Sequence, residues 1–293
     1  MLLPADNTES TMARTPKARA LGGALRQART AKGMVLRELA SAINRDIGVV
    51  SRWETGDRTP KPEQVAQILT TLGVGGDRYE EIMTLAYGTD ESQWVATTLP
   101  EQRQQMAAYI DWEQSATRIV EVAPLLVPGL LQISDYIQAI MTAGGVPDGE
   151  IASRVTGRIG RRDVIEKAKP ARLLVLLGQN VLNNDIGGRE VTIAQARHLL
   201  EMAARPNIEI RIIPDHSGWH PDLEGPFTLV EVDPSERGSI VFMETRRSIL
   251  MMHEDEDVDA YKQAVDRVMP VVLSPATSIK FLADMAHNRL ERK

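Results

Sequence analysis

The sequence predicts an α+β protein: an N-terminal all-α bundle of five helices, followed by a C-terminal mixed α/β domain with a small mixed sheet. The chain has 293 residues, which is long for one domain and sufficient for two. Apolar residues recur at helical spacing in the first part of the chain. In the second part, strand-like runs such as ARLLVLLG and NIEIRIIP alternate with helical patterns.

Charge also separates the two parts. The net charge is −6, yet residues 14–75 hold 11 lysines and arginines against 5 acidic residues. A local excess of positive charge is what a surface that contacts DNA phosphates requires. The acidic remainder of the chain is expected to do something other than bind nucleic acid.

The composition excludes several classes of protein. The chain has no cysteine, which excludes disulfides and cysteine-ligated zinc or iron–sulfur sites. Its N-terminus lacks the pattern of a signal peptide, and no stretch approaches the roughly 20 apolar residues of a membrane span. We therefore expect a soluble cytoplasmic protein. Residues 1–17 are expected to be a disordered leader, with contact of Arg14, Lys17 and Arg19 to DNA phosphates as the alternative.

A helix-turn-helix pattern organises the N-terminal domain, residues 18–88. The run LRELASAINRDIGVVSRWE at residues 36–54 predicts two short helices, with Asn44 at the turn and Asp46 as the cap of the second helix. That second helix is the one that would enter a DNA major groove. Further helices are predicted from Leu21, over EQVAQILTTLG and over DRYEEIMTLAYG, with the loop TGDRTPKP between the third and fourth helices.

Several spaced positions carry a family resemblance. They are Ala40 inside the second helix, a turn residue four positions later, Val50 in the third helix, and the run SRWETGDRTP. Together they resemble the XRE family of phage-repressor-like DNA-binding domains over residues 18–75. The resemblance implies an internal ion pair between Arg29 and Glu54. The chain departs from the family at Val35 and Leu36, where relatives usually carry a Ser/Thr cap and a DNA-contacting Gln.

The head of the third helix is poor in hydrogen-bonding groups. Ile47 and Val49 can read only thymine methyls and DNA shape, and Gly48 permits close approach of the backbone to the groove. Hydrogen bonding to bases is therefore expected from Arg52, with guanine as the expected partner. Phosphate contacts are expected from Arg37, Arg45, Ser51, Arg58 and Lys61. The alternative is that these basic residues are the solvated face of a protein-interaction bundle.

Residues 89–100 are predicted to be a linker, and residues 101–293 a C-terminal regulatory and dimerisation domain. EQRQQMAAYIDWEQSATRIVEVAP is predicted as its opening helix, and EIASRVTGRIGRRDVIEKA as another helix. The strands ARLLVLLG and NIEIRIIP, joined by a helix, predict a parallel pair. PFTLVEVD and SIVFMET predict an antiparallel hairpin, and two helices end the chain.

This second part carries a resemblance of its own. It rests on VPGLLQISDYIQAI, the RIGRR helix, PNIEIRIIP followed by HSGWH, and LSPATS. In this order they resemble the uncharacterised, antitoxin-like C-terminal domain of many actinobacterial XRE regulators, over residues 100–290. The resemblance implies no particular chemistry, because that family lacks an established ligand or reaction.

Known catalytic motifs are absent from the sequence. It contains no Walker loop, nucleophile elbow or dinucleotide fingerprint, so we expect no catalytic residues and no enzyme activity. His216 and His220 stand in a loop interrupted by Gly218 and Pro221, a poor arrangement for metal ligands, so neither a metal nor a cofactor is expected. Trp219 is the first candidate to cover a ligand pocket, with His216, His220 and Met251 as further ligand-binding candidates.

The sequence therefore predicts a transcriptional regulator that binds double-stranded DNA at a palindromic operator as a homodimer. Its C-terminal domain would sense a small-molecule effector or a partner. The alternative is an antitoxin-like protein that binds a small partner protein through that domain and autoregulates its operon. No membrane interaction is expected.

Overall fold

The computed structural model describes residues 15–91, 93–233 and 238–291. It confirms the α+β fold class, with an N-terminal helical bundle and a C-terminal α/β domain built on a mixed sheet. The chain divides into two compact units, Met1–Tyr109 with Thr245–His253 and Ile110–Glu244 with Glu254–Lys293.

The helices and strands follow one another in the order α1 (Pro16–Ala31), α2 (Leu36–Ala42), α3 (Ile47–Thr55), α4 (Pro62–Leu72), α5 (Asp77–Leu85), β1 (Gln93–Ala96), α6 (Leu99–Gln114), β2 (Arg118–Ala123), α7 (Ser134–Ala143), α8 (Asp148–Gly160), α9 (Asp163–Glu166), β3 (Arg172–Gly178), α10 (Arg189–Ala203), β4 (Ile208–Ile213), β5 (Phe227–Glu231), β6 (Ile240–Glu244), β7 (Ile249–Met252), α11 (Asp255–Val268) and α12 (Pro275–Glu291).

The first helix begins earlier than the apolar pattern predicts. The expected start was Leu21, whereas α1 begins at Pro16, within the segment predicted to be a leader. Thr15 explains the early start: its hydroxyl accepts a hydrogen bond from the backbone N–H of Ala18 at 3.0 Å, as an N-cap residue does. Proline is favoured directly after the cap because its missing N–H is not needed there. Residues 1–14 of the predicted leader lie outside the described residues.

Helix α1 approaches α3 at van der Waals contact of their backbones. A β carbon at Gly22 would lie 2.5 Å from the carbonyl oxygen of Trp53 and 2.9 Å from that of Glu54. Only glycine fits there without a shift of one helix. Around this contact the bundle buries apolar side chains from α1, α3 and α4, among them Leu21, Leu25, Val50, Val65 and Leu69.

The segment predicted to be a linker contains a strand. β1 pairs antiparallel with β7, and Trp94 lies opposite Met251 in this pair. Both side chains are buried, and the side-chain amide of Gln105 donates to the carbonyl oxygen of Trp94. The segment 89–100 has no long apolar period because the strand is only four residues long, and its exposed and buried positions alternate over just that length.

The second unit is built on a mixed sheet with the strand order β6-β5-β2-β3-β4. β2, β3 and β4 are parallel, which confirms the predicted parallel pair of β3 and β4 and adds β2 to it. β5 is antiparallel to both β2 and β6, which confirms the predicted hairpin. The carboxyl ends of β2, β3, β4 and β6 therefore lie at one edge of the sheet, beside the amino end of β5.

Two predicted helices of this unit are wrong in extent. The opening helix was predicted to continue through RIVEVA, but α6 ends at Gln114 and those six residues form the central strand β2. Gln105, Tyr109, Trp112 and Glu113 are the buried positions of α6, while Met106 and Ile110 are half-buried. The helix predicted across RIGRR is broken, with α8 ending at Gly160 and the short α9 beginning at Asp163.

Replacing Gly22 by Ala tests the contact between α1 and α3. We expect Gly22→Ala to destabilise the protein by about 1–3 kcal/mol, because its methyl group would press against backbone atoms that cannot rotate away. Gly23→Ala is the matched control: nothing lies within 4 Å of a β carbon there, so the better helix propensity of alanine should stabilise the chain by up to about 1 kcal/mol. The measurement is the thermal unfolding midpoint of the full chain. Equal midpoints for the two variants would contradict the close contact.

Candidate DNA-binding surface and C-terminal pocket

The turn and the cap that position α3 form as the sequence predicts. Asn44 adopts a left-handed backbone conformation with φ of 54°, which asparagine tolerates better than most residues. The Asp46 carboxylate accepts a hydrogen bond from the backbone N–H of Gly48 at 2.7 Å and so caps the helix. The chain therefore reverses between α2 and α3 and presents the amino end of α3 outward.

A buried ion pair ties α3 to α1. Arg29 donates to both carboxylate oxygens of Glu54, at 2.6 and 2.8 Å, and its third nitrogen donates to the carbonyl oxygen of Met34 at 2.7 Å. Both side chains are largely buried, with 11% and 6% exposed. The hydrogen bonds to Glu54 raise the pKa of Arg29. The pair that the resemblance implies is confirmed, and its role is to fix the orientation of α3.

The amino end of α3 exposes the residues expected to read DNA. Ile47 is 46% exposed, while Gly48 and Val49 are half-buried. A β carbon at Gly48 would lie 3.0 Å from the Asp46 carboxylate and 3.9 Å from a guanidinium nitrogen of Arg52. Glycine thus leaves room for the cap and for Arg52, whose guanidinium lies beside the head of the helix.

The predicted phosphate contacts come from several elements of the bundle. Arg37 lies on α2, Arg45 in the turn, Ser51 on α3, Arg58 in the loop after α3, and Lys61 at the N-cap of α4. Within the described residues, the side chains of Arg37, Arg45, Arg52 and Lys61 are exposed and form no hydrogen bond or ion pair. These four cations are therefore available to an external anion.

Trp219, of the ligand-binding candidates, lines a pocket of about 280 Å³ in the second unit. The pocket lies at the sheet edge formed by the amino end of β5 and the carboxyl end of β6, and α11 covers it. His216 is exposed and His220 is buried, and neither lines this pocket. Met251 is buried in β7 of the first unit. Of the predicted ligand-binding residues, Trp219 alone lines this pocket.

Aromatic rings form one wall of this pocket. Phe227 and Tyr261 meet edge to face with ring centroids 4.8 Å apart, and the Tyr261 hydroxyl donates to the Met243 sulfur at 3.0 Å. Burial raises the pKa of Tyr261, and the carboxylates of Asp257 and Glu224 raise it further. Trp219 stands at the pocket with 68% of its surface exposed. The pocket therefore has a rigid aromatic wall and an open aromatic rim.

A buried ionic cluster on the other face of the sheet has no counterpart in the sequence predictions. Glu113 of α6 is fully buried and accepts two hydrogen bonds from Arg161, at 2.7 and 2.8 Å. Glu121, in the middle of β2, is 6% exposed. Burial raises the pKa of the Glu121 carboxyl to about 7, the neighbouring Glu113 adds to the rise, and Arg161 opposes it.

The RIGRR segment supplies the cations of this cluster. Arg158 donates to the Gln132 side chain at 3.0 Å, and Arg162 donates to the backbone carbonyl oxygens of Leu130 and Gln132. Burial lowers the pKa of Arg158, and the nearby Arg161 lowers it further. These arginines hold the loop after β2 against α8 and α9, so the described structure assigns them to packing within the domain.

Among the described residues, no helix is long and apolar enough to cross a membrane. No group of three or more His, Asp and Glu side chains among them is arranged to hold a metal ion.

Comparison with known protein families finds two matches along the chain. Residues 20–82 match a helix-turn-helix domain, and residues 106–284 match a domain of unknown function, DUF5753. No match is found among curated proteins or among solved structures. The first match supports the resemblance to XRE-like regulators, and residues 20–82 form a DNA-binding domain. The actinobacterial and antitoxin-like parts of the second resemblance stay predictions.

Glu121 predicts a pH dependence of stability. Its folded-state pKa of about 7 lies above the ordinary 4.5. The contribution of this carboxyl to the free energy of unfolding is therefore largest below pH 4.5, decreases as the pH rises to about 7, and stays constant above that pH. Glu121→Gln should remove this loss and stabilise the chain at pH 8 by up to about 3 kcal/mol relative to its effect at pH 4.5. The measurement is urea unfolding at both pH values. The exposed Glu190→Gln is the control, and an equal effect of the two substitutions would contradict this account.

Proposed function

Because the chain belongs to the family defined by the domain DUF5753 and carries a helix-turn-helix domain, we propose that it is a sequence-specific, DNA-binding transcriptional regulator. The observation that carries this proposal is the amino end of α3, where Arg52 lies beside Gly48 without an intramolecular partner among the described residues. A free guanidinium at the head of the second helix of the motif is suited to a guanine edge in the major groove.

The operator is proposed to be palindromic and bound by a homodimer. Two-fold symmetric regulators of this kind bind two half-sites about one helical turn apart, because each copy presents one reading helix. The apolar residues at the amino end of α3 support the proposal that two half-sites are bound. Ile47 and Val49 contribute few hydrogen bonds, so one copy alone reads little sequence.

The C-terminal domain is proposed to sense a small-molecule signal in the cytoplasm and to mediate dimerisation, without catalysis. The pocket beside Trp219 supports sensing, since ligands of α/β sheets commonly bind outside the carboxyl ends of the strands. The antitoxin-like alternative stays a prediction, because no feature of the described residues favours a small protein partner. A stoichiometric small protein that co-purifies with the full chain would favour that alternative.

Salt dependence tests DNA binding directly. Arg37, Arg45, Arg52 and Lys61 are exposed and have no partner among the described residues. We therefore expect the affinity for any duplex to fall steeply between about 50 and 200 mM salt, because phosphate contacts release counterions. The measurement is fluorescence anisotropy of a labelled random duplex titrated with the full chain. Affinity that does not change with salt would overturn the electrostatic part of the proposal.

Two arginine substitutions distinguish a contact to DNA bases from a contact to DNA phosphates. Arg52→Ala should cost about 1–3 kcal/mol of discrimination between the operator and mismatched duplexes, because it removes a base contact. Arg37→Ala should weaken binding to all duplexes alike and reduce the slope of log affinity against log salt by about 1. Arg172→Ala, on an exposed position of β3, is the charge-matched control and should change neither quantity. Unchanged discrimination in Arg52→Ala would show that DNA shape does the reading.

A further inference from the structure

The pocket beside Trp219 lies at the end of the β5–β6 hairpin, between the amino end of β5 and the carboxyl end of β6. β6 runs in the same direction as β2, and β5 runs opposite to both. The carboxyl end of β6 therefore lies at the same edge of the sheet as the carboxyl ends of the parallel strands β2, β3 and β4. Ligands of open α/β sheets commonly bind at that edge.

The walls of the pocket suit an apolar group of modest size. Phe227 and Met243 come from the sheet, Tyr261 comes from α11, and Trp219 comes from the loop after β4. The Tyr261 hydroxyl is already held by the Met243 sulfur, so this wall offers a fixed ring face. Trp219 leaves an exposed indole that a bound apolar group would cover.

The same pocket carries two opposite charges on different elements. Glu224 lies at the end of the short helical turn Pro221–Glu224, and Arg267 lies in the last turn of α11. Neither side chain forms a hydrogen bond or ion pair with any other residue in the described part of the chain, so they are not paired with each other. A ligand with both a positive and a negative group can satisfy both side chains.

We propose that this pocket binds a free amino acid with an apolar side chain, or a similarly small zwitterion. The ammonium group would pair with Glu224, the carboxylate with Arg267, and the apolar side chain would lie against Phe227, Tyr261 and Trp219. Guanidinium matches a carboxylate with two parallel hydrogen bonds, which gives the ligand a defined orientation. This inference deepens the proposed function, since it rests on the C-terminal domain being the sensor.

Calorimetric titration of the full chain, without DNA, tests the site. The probes are L-phenylalanine and L-leucine, with 2-phenylethylamine and 3-phenylpropionate as analogues that lack the carboxylate or the ammonium group. We expect at least one amino acid to bind. 2-Phenylethylamine and 3-phenylpropionate should each bind at least about tenfold more weakly than L-phenylalanine, because each leaves one charged side chain of the pocket without a partner.

Substitutions of pocket residues test whether the amino acid binds in this pocket. Glu224→Gln and Arg267→Gln should each weaken amino-acid binding at least about tenfold, and Trp219→Ala should weaken it as well. Glu190→Gln and Arg172→Gln, both at exposed positions outside the pocket, are matched controls and should bind as the unaltered chain does. Absence of binding by both amino acids, or equal binding by the pocket variants and the controls, would overturn the site.

Measurements of operator affinity with and without the amino acid distinguish the pocket assignment from the proposed function. If an amino acid binds at this site but leaves operator affinity unchanged, the pocket stands and the proposed sensing function fails. If operator DNA binds but neither amino acid does, the pocket assignment fails while the DNA-binding function stands.

Discussion

The buried ion pair between Arg29 and Glu54 is the interaction on which the DNA-binding surface depends. Removing one partner of such a pair typically costs about 3–5 kcal/mol, because the other charge is left buried and uncompensated. Here the pair is made where Gly22 lets α1 touch the backbone of α3. The orientation of α3 is thus fixed twice, by charge and by close packing. Only a helix held in this way can present the exposed Arg52 to a groove reproducibly.

The two faces of the C-terminal sheet carry different kinds of side chains. Phe227 is paired with Val122, the residue after Glu121, so the aromatic pocket and the ionic cluster lie on opposite faces of β2. On the ionic face, Glu121 lies beside the Glu113–Arg161 pair. Burial disfavours the charged form of the Glu121 carboxyl and so raises its pKa. The aromatic face leaves an open pocket near the surface. The ionic cluster therefore lies on one face of the sheet, and the pocket proposed to bind a ligand lies on the other.

Sequence patterns predict those parts of the structure that rest on local or regularly spaced signals. The turn at Asn44, the cap at Asp46 and the Arg29–Glu54 pair all belong to a compact motif in which each position has one physical task. β2 escaped prediction because RIVEVA follows a helix without a glycine or proline, so its apolar residues extended the helical period. Glu121 gave no signal, since its neighbours Glu113 and Arg161 come from α6 and from the segment after α8, which only the fold brings to one face of β2. Trp219 was identified as a pocket residue by its loop, but Tyr261 and Arg267 join it only through the packing of α11.

If α3 reads a specific DNA sequence in each half of a two-fold symmetric site, the full chain will select such sites from a random-sequence library of duplexes. We expect enrichment of an inverted repeat whose half-sites lie about one helical turn apart. Recovery of duplexes that share no sequence, and whose affinity depends only on salt, would show that α3 does not read sequence.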